Sequence, residues 1–173
     1  MALLNIIKKG DETLRKICKP VGPITPRILT LLDDMRDTLI DSEGVGLAAP
    51  QVGVLRRIAL VIDTNDDDKL YELINPEIIE TEGEQEGAEG CLSVPGEFGV
   101  VKRPAKVTVR AQDRNGNFFE VTGEGLTARC FCHETDHLEG IVFTEKCERM
   151  LTEEEIQALG GEHGGENDGE ETD

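Results

Sequence analysis

Two of the chain's three histidines stand four residues apart, with a glutamate directly after the first: His133-Glu134-Thr135-Asp136-His137. Residues at i and i+4 of a helix lie one above the other on one face. The motif therefore constrains this segment to a helix whose two imidazoles reach a single ion. Glu134 projects about 100° around the axis from His133, which sets it beside the ion and within reach of a bound water. A metal in that place activates water while the glutamate moves its proton, the chemistry of metal-dependent hydrolysis. The competing reading is a charged helix face that carries two histidines by chance. It fits poorly with the scarcity of histidine here, and Leu126, Cys130 and Ile141 mark a helix largely packed into the protein.

Two histidines do not complete a site. The pattern H-E-x-x-H-x-x-G-x-x-H is followed through Gly140, but Phe143 stands where a third histidine would be. A glutamate from a downstream helix is a second option, offered by Glu153, Glu154 and Glu155 in a short acidic, solvent-facing stretch. The five cysteines, Cys18, Cys91, Cys130, Cys132 and Cys147, are the remaining candidates. Cys91 stands out because it follows Gly90 in Glu89-Gly90-Cys91-Leu92-Ser93, and glycine lets the backbone come close to another group. A further segment, Gly44-Val45-Gly46-Leu47-Ala48-Ala49-Pro50-Gln51, is built from small residues and ends in an amide able to donate hydrogen bonds.

In this order and at these spacings, GVGLAAPQ, EGCLS and HETDH resemble the three signature segments of peptide deformylase, over roughly residues 1 to 150. The resemblance implies a site of Cys91, His133 and His137 with a fourth position open for water. It implies Fe2+ as the working metal, with Zn2+, Ni2+ or Co2+ able to substitute, since thiolate and imidazole together suit all of them. The implied substrate is the N-formyl group on the initiator methionine of new polypeptides, with Glu134 as the proton carrier. The implied oxyanion donors are the Gln51 side-chain amide and the backbone N–H of Leu92. By the same resemblance the Gly46 backbone binds the formylated residue's N–H. Val45, Cys130 and the body of His133 line a methionine pocket, and Arg129 stands at its mouth. Core packing explains Cys130 nearly as well. Asp136 points away from the metal on a buried helix and requires a partner, and the resemblance implies Arg103 for that ion pair.

Two departures from the family pattern are visible. Cys132 replaces the glutamine usual before the first histidine; it lies off the metal-facing line, and Cys130 and Cys132 point about 200° apart on a helix, so they cannot share an ion. The segment Pro95-Gly96-Glu97-Phe98-Gly99 lacks an arginine that some relatives place near Phe98 to contact peptides. Two other readings compete: a metallopeptidase with a glutamate as third ligand, and a metal-binding regulator that has lost activity. The intact Glu134 and Gln51 speak against the regulator.

The expected fold is α+β, with antiparallel strands surrounding a central helix that carries HETDH. Thr25 caps and Pro26 opens a first helix with Ile28, Leu31, Leu32, Met35 and Leu39 on its apolar stripe and Gly44 as its stop. Residues 57–62 read as a buried strand, 63–68 as a polar turn, and 71–80 as a strand with Pro76 marking an edge or bulge. Residues 106–112 and 118–122 read as a hairpin around Asn115-Gly116. The metal helix lies within 123–138 and ends at Gly140, and Thr152 with Glu155 forms a capping box for a short helix ending near Gly160.

Residues 1–159 thus form the catalytic domain and 160–173 an acidic glycine-rich tail, disordered for lack of apolar side chains, with His163 a bystander. With 36 acidic and 18 basic residues the net charge is -18, which disfavours direct nucleic acid or membrane partners. Absence of a secretory pattern at the N-terminus and an odd cysteine count read as reduced thiols in a cytoplasm, and the resemblance implies a bacterial one. The implied partners are N-formylmethionyl peptides and nascent chains, and through them transient contact with the ribosome.

Overall fold

Thr25 is extended and Pro26 occupies the first helical position of α1 (Pro26–Ser42), where its missing N–H costs nothing. The Thr25 side chain makes no capping bond, so proline alone sets this start. Leu32, Met35 and Leu39 are fully buried, as their spacing requires. The helix stops one residue before the expected Gly44, with Glu43 in the left-handed conformation at φ 61°. Gly44 is small for another reason: a Cβ there would come within 3.1 Å of Leu92 Cδ1.

The computed structural model describes residues 2–166. After α1 come β1 (Gly46–Ala48), a 3-10 turn (Ala49–Val52), β2 (Ile58–Asp63), β3 (Lys69–Glu82), β4 (Gln85–Cys91), β5 (Val94–Arg103), β6 (Lys106–Gln112) and β7 (Phe118–Glu124). The chain continues through α2 (Leu126–Leu138), a 3-10 turn (Phe143–Glu145), β8 (Arg149–Met150) and α3 (Glu153–Glu166). Strands β1-β2-β3-β6-β7 form one sheet and β4-β5-β8 a second, all pairs antiparallel. The fold is α+β, with α2 held between the strands. Ala128, Phe131 and Cys132 of α2 pack on Val61, Leu73, Val107 and Val109 of the larger sheet.

Pro76 lies in β3, between β2 and β6, so it marks a bulge and not an edge: the register shifts between Ile74 and Glu77. The hairpin around Asn115-Gly116 is present with a five-residue loop, in which Asp113 Oδ1 accepts from the N–H groups of Asn115 and Asn117. The β4–β5 ribbon was not expected from the sequence. Its register ends in the pair Cys91 and Val94, leaving Leu92-Ser93 as a two-residue tip. Gly90 admits the Phe98 ring, since a Cβ there would sit 2.5 Å from the ring carbon Cε2.

Helix α2 begins after Gly125 at φ 59°, because Gly123 and Glu124 still belong to β7. Leu126, expected in the packed face, is 47% exposed; it is the first residue of the helix and stands at a cleft rim. Residues Thr127 to Glu134 are buried without a break, so the helix is as embedded as expected. At Gly140 (φ 78°) a Cβ would press on the Arg15 carbonyl at 2.6 Å, so glycine is required there twice over.

Thr152 and Glu155 exchange bonds at 2.9 and 3.1 Å, the expected capping box. Helix α3 then runs on to Glu166, past the expected stop at Gly160. The glycines there weaken a helix by about 1 kcal/mol each, but none removes a backbone donor as proline would. Residues 167–173 of the acidic stretch lie outside the described residues. No helix among the described residues is long and apolar enough to cross a membrane.

Candidate metal centre and cleft

The tip of the β4–β5 ribbon brings Cys91 to the buried face of α2. Its Sγ lies 3.3 Å from His137 Nε2, and the two histidine Nε2 atoms are 3.2 Å apart. The three donor atoms all lie within 4.8 Å of one another. His137 is fully buried and His133 nearly so. The glutamates of α3 are not part of this group; Glu155 is taken by Arg149 at 2.9 Å. Phe143, in the place of a third histidine, instead stacks against His133 with ring centroids 6.1 Å apart.

Glu89 was overlooked in the sequence, although it opens the EGCLS segment. It is buried and accepts from His133 Nδ1, from Arg103 through Nε at 3.1 Å and Nη2 at 2.7 Å, and from Arg129 Nη1 at 2.9 Å. Burial opposes its ionisation, but the hydrogen bonds from His133 and Arg103 outweigh that and hold its carboxyl at about 2. A carboxylate on Nδ1 fixes the ring so that Nε2 presents its lone pair to the centre. Arg103 then spans to Asp136 Oδ2 at 2.7 Å, the expected ion pair, and Lys146 reaches Asp136 Oδ1 at 3.3 Å. This network ties the ribbon to α2 directly behind His133.

Glu134 stands beside the three donors. Its carboxylate presses against Gly46, where any Cβ would overlap Oε2. Burial pushes its carboxyl up to about 7, against the opposing pull of His133. Its Oε1 has no hydrogen-bond partner among the described residues, and a buried unsatisfied oxygen costs about 1–3 kcal/mol. An orphaned carboxylate oxygen next to one sulfur and two imidazole nitrogens fits a divalent metal that carries a water. The Gln51 amide faces the same centre: Oε1 accepts from Ala48 N–H at 2.8 Å, while Nε2 donates to Ser93 Oγ at 3.1 Å and lies 3.5 Å from Cys91 Sγ.

A cleft of about 490 Å³ opens onto these groups, and Val45, Gly46, Gln51, Leu92, Cys130, Arg129, His133 and Glu134 all line it. Cys130 lines the cleft and also belongs to the core under the larger sheet. Arg129 lines the wall, but its guanidinium is buried and held by Glu89 and the Val101 carbonyl. It does not stand free at the mouth. Phe98 and Leu126 form part of the rim, and Cys132 turns into the core.

The sequence pattern of the polypeptide deformylase family matches residues 3–153. This chain belongs to that family. It is 55% identical over 159 residues to the peptide deformylase of Caldanaerobacter subterraneus subsp. tengcongensis, covering 92% of this chain and 98% of that protein. A crystal structure of a peptide deformylase from Legionella pneumophila superposes with a TM-score of 0.80 at 41% identity, covering 96% of this chain and 99% of the other. A Met-Ala-Ser-bound class I type b peptide deformylase from Acinetobacter baumannii gives a TM-score of 0.78 at 35% identity, covering 83% and 98%. Deformylases are metal-dependent hydrolases that take the N-formyl group from new polypeptides, and this chain is one of them.

Proposed function

We propose that Cys91, His133 and His137 hold Fe2+ and that the chain deformylates N-formylmethionyl peptides in a bacterial cytoplasm, with release of formate. The observation that carries this reading is the convergence of the three donor atoms beside the unpartnered Glu134 oxygen. Zn2+, Ni2+ or Co2+ can take the same donors. When bound, such an ion lowers the pKa of its water toward neutrality.

The protein's own groups do the rest. Glu134 accepts the proton of the attacking water and returns it to the leaving amine. The oxygen of the formyl carbonyl becomes negative as its carbon turns tetrahedral. The Gln51 amide and the Leu92 backbone N–H are the donors that meet it, and losing one such donor typically costs roughly 100- to 1000-fold in rate. Gly46 offers its backbone to the formylated residue, and Val45 and Cys130 border the methionine side chain. Arg129 acts through Glu89, by holding that carboxylate against His133.

Substrate reaches the cleft on nascent chains, with transient ribosome contact. From Gly160 onward the sequence has six acidic and no basic residues, so that stretch is repelled by ribosomal RNA phosphates. Ending the chain at Gly160 should change neither formate release nor ribosome association.

The test is anaerobic purification, metal analysis and an assay of formate from formyl-Met-Ala-Ser. Iron at one equivalent with steady formate release is expected. Stoichiometric metal without formate release contradicts the proposal.

A further inference from the structure

A terminal carboxamide turns about a soft torsion, so an amide that must meet a developing charge needs its orientation fixed by other groups. At Gln51 two contacts do this. Ala48 N–H can only donate, so the atom facing it at 2.8 Å is the amide oxygen, and the nitrogen must face the centre. One N–H of that nitrogen then goes to Ser93 Oγ at 3.1 Å. The other is left on the side of Cys91 Sγ, 3.5 Å away.

We infer that Ser93 is a positioning residue for deformylation: its hydroxyl holds one N–H of the Gln51 amide and so aims the other at the oxyanion. Ser93 is fully buried and Gln51 is 1% exposed, so no water competes for this bond. Ser93 also sits in the same two-residue tip as Leu92, directly after Cys91. One turn thereby sets the thiolate, the backbone donor and the anchor of the side-chain donor.

The plain alternative is that the hydroxyl merely stabilises the turn. The backbone speaks against it. Lys9 N–H donates to the Ser93 carbonyl and Ile7 N–H to the Gln51 carbonyl, each at 2.7 Å. The N-terminal arm thus already straps the two loops together through main-chain atoms, and the Ser93 hydroxyl is left for the amide.

The inference rests on Gln51 being an oxyanion donor, and a double-mutant cycle separates the two claims. Ser93→Ala should retain metal, lower kcat on the order of ten-fold and change KM by less than about two-fold. In a Gln51→Ala background the same substitution should cost nothing further. In the zinc-loaded protein, the Gln51 side-chain amide protons should exchange with solvent faster in Ser93→Ala than in the parent, read by NMR. Ser93→Cys, of similar size with a weak acceptor, runs through the same cycle, so the comparison survives a poorly folding alanine variant. Equal proportional losses in both backgrounds overturn the role of Ser93 alone. An unchanged kcat in Gln51→Ala overturns the oxyanion assignment and the inference with it.

Discussion

The Glu89 carboxylate caps Nδ1 of His133, and it does so while gripping two buried guanidiniums, Arg103 and Arg129. One side chain therefore orients one of the three proposed metal donors and neutralises the wall of the cleft. Replacing it acts on both. Glu89→Gln should weaken metal retention by roughly 10- to 100-fold, the usual effect of losing a carboxylate behind a ligating histidine. It should also destabilise the fold, because breaking a buried pair costs about 3–5 kcal/mol. Chelator competition and thermal melting read the two effects separately. Wild-type metal affinity in this variant would remove Glu89 from the site.

Arg103→Met tests the other end of the network. Arg103 and Glu89 side chains are each 3% exposed and Asp136 is 15% exposed. The substitution leaves Glu89 with fewer partners and strands Asp136 with Lys146. A fall in melting temperature larger than that of Arg103→Met/Asp136→Asn relative to Asp136→Asn alone is expected, since the coupling between neighbours is lost once one partner is gone. Additive losses would mean that the pair carries no coupling.

The histidine pair and Glu134 were readable from spacing, while Cys91 as third donor and the role of Gln51 came from the resemblance to the family. The i, i+4 histidines, the Gly90-Cys91 step and the amide of Gln51 are local signals, and the structure brings all of them together. The role of Glu89 was not readable, because its partners come from 14, 40 and 44 residues away. The β4–β5 ribbon was missed for a physical reason: its first strand, Gln85 to Cys91, has glutamate and glycine where β-branched residues normally signal a strand. Gly44 looked like a helix stop and is instead clearance for Leu92. Leu126 looked like core and stands at the rim.

Iron beside a thiolate activates oxygen, and the nearest oxidisable group is Cys91. Cys91 and Cys147 are half-buried and Cys18, Cys130 and Cys132 buried, but of the five only Cys91 lies among the three candidate donors. Activity of the iron form should decay in air and persist with nickel or cobalt, with mass spectrometry finding added oxygen on Cys91 first. Equal air stability of iron and nickel forms would count against iron as the native metal.

The buried thiols set a limit on the alkaline side. Burial pushes Cys18 and Cys132 up to about 11 and Cys130 higher still. An unfolded thiol ionises near about 8.5. Between these values the folded chain binds more protons than the unfolded one, so stability is fully present below about 8.5 and is lost as pH rises toward 11. Melting temperatures should fall between pH 8.5 and pH 10 at constant salt, and these thiols should resist alkylation at pH 8. Rapid alkylation of Cys18 at pH 8 in the folded protein would contradict the burial argument.

The central claim is that Glu134 moves the proton at a metal held by Cys91, His133 and His137. Glu134→Gln tests it most directly, because an amide of the same shape keeps the packing against Gly46 but cannot accept the proton. The variant should bind one equivalent of metal, as the parent does, and release formate from formyl-Met-Ala-Ser at a rate lower by about 100-fold or more. Near-normal formate release with the metal in place would contradict the account.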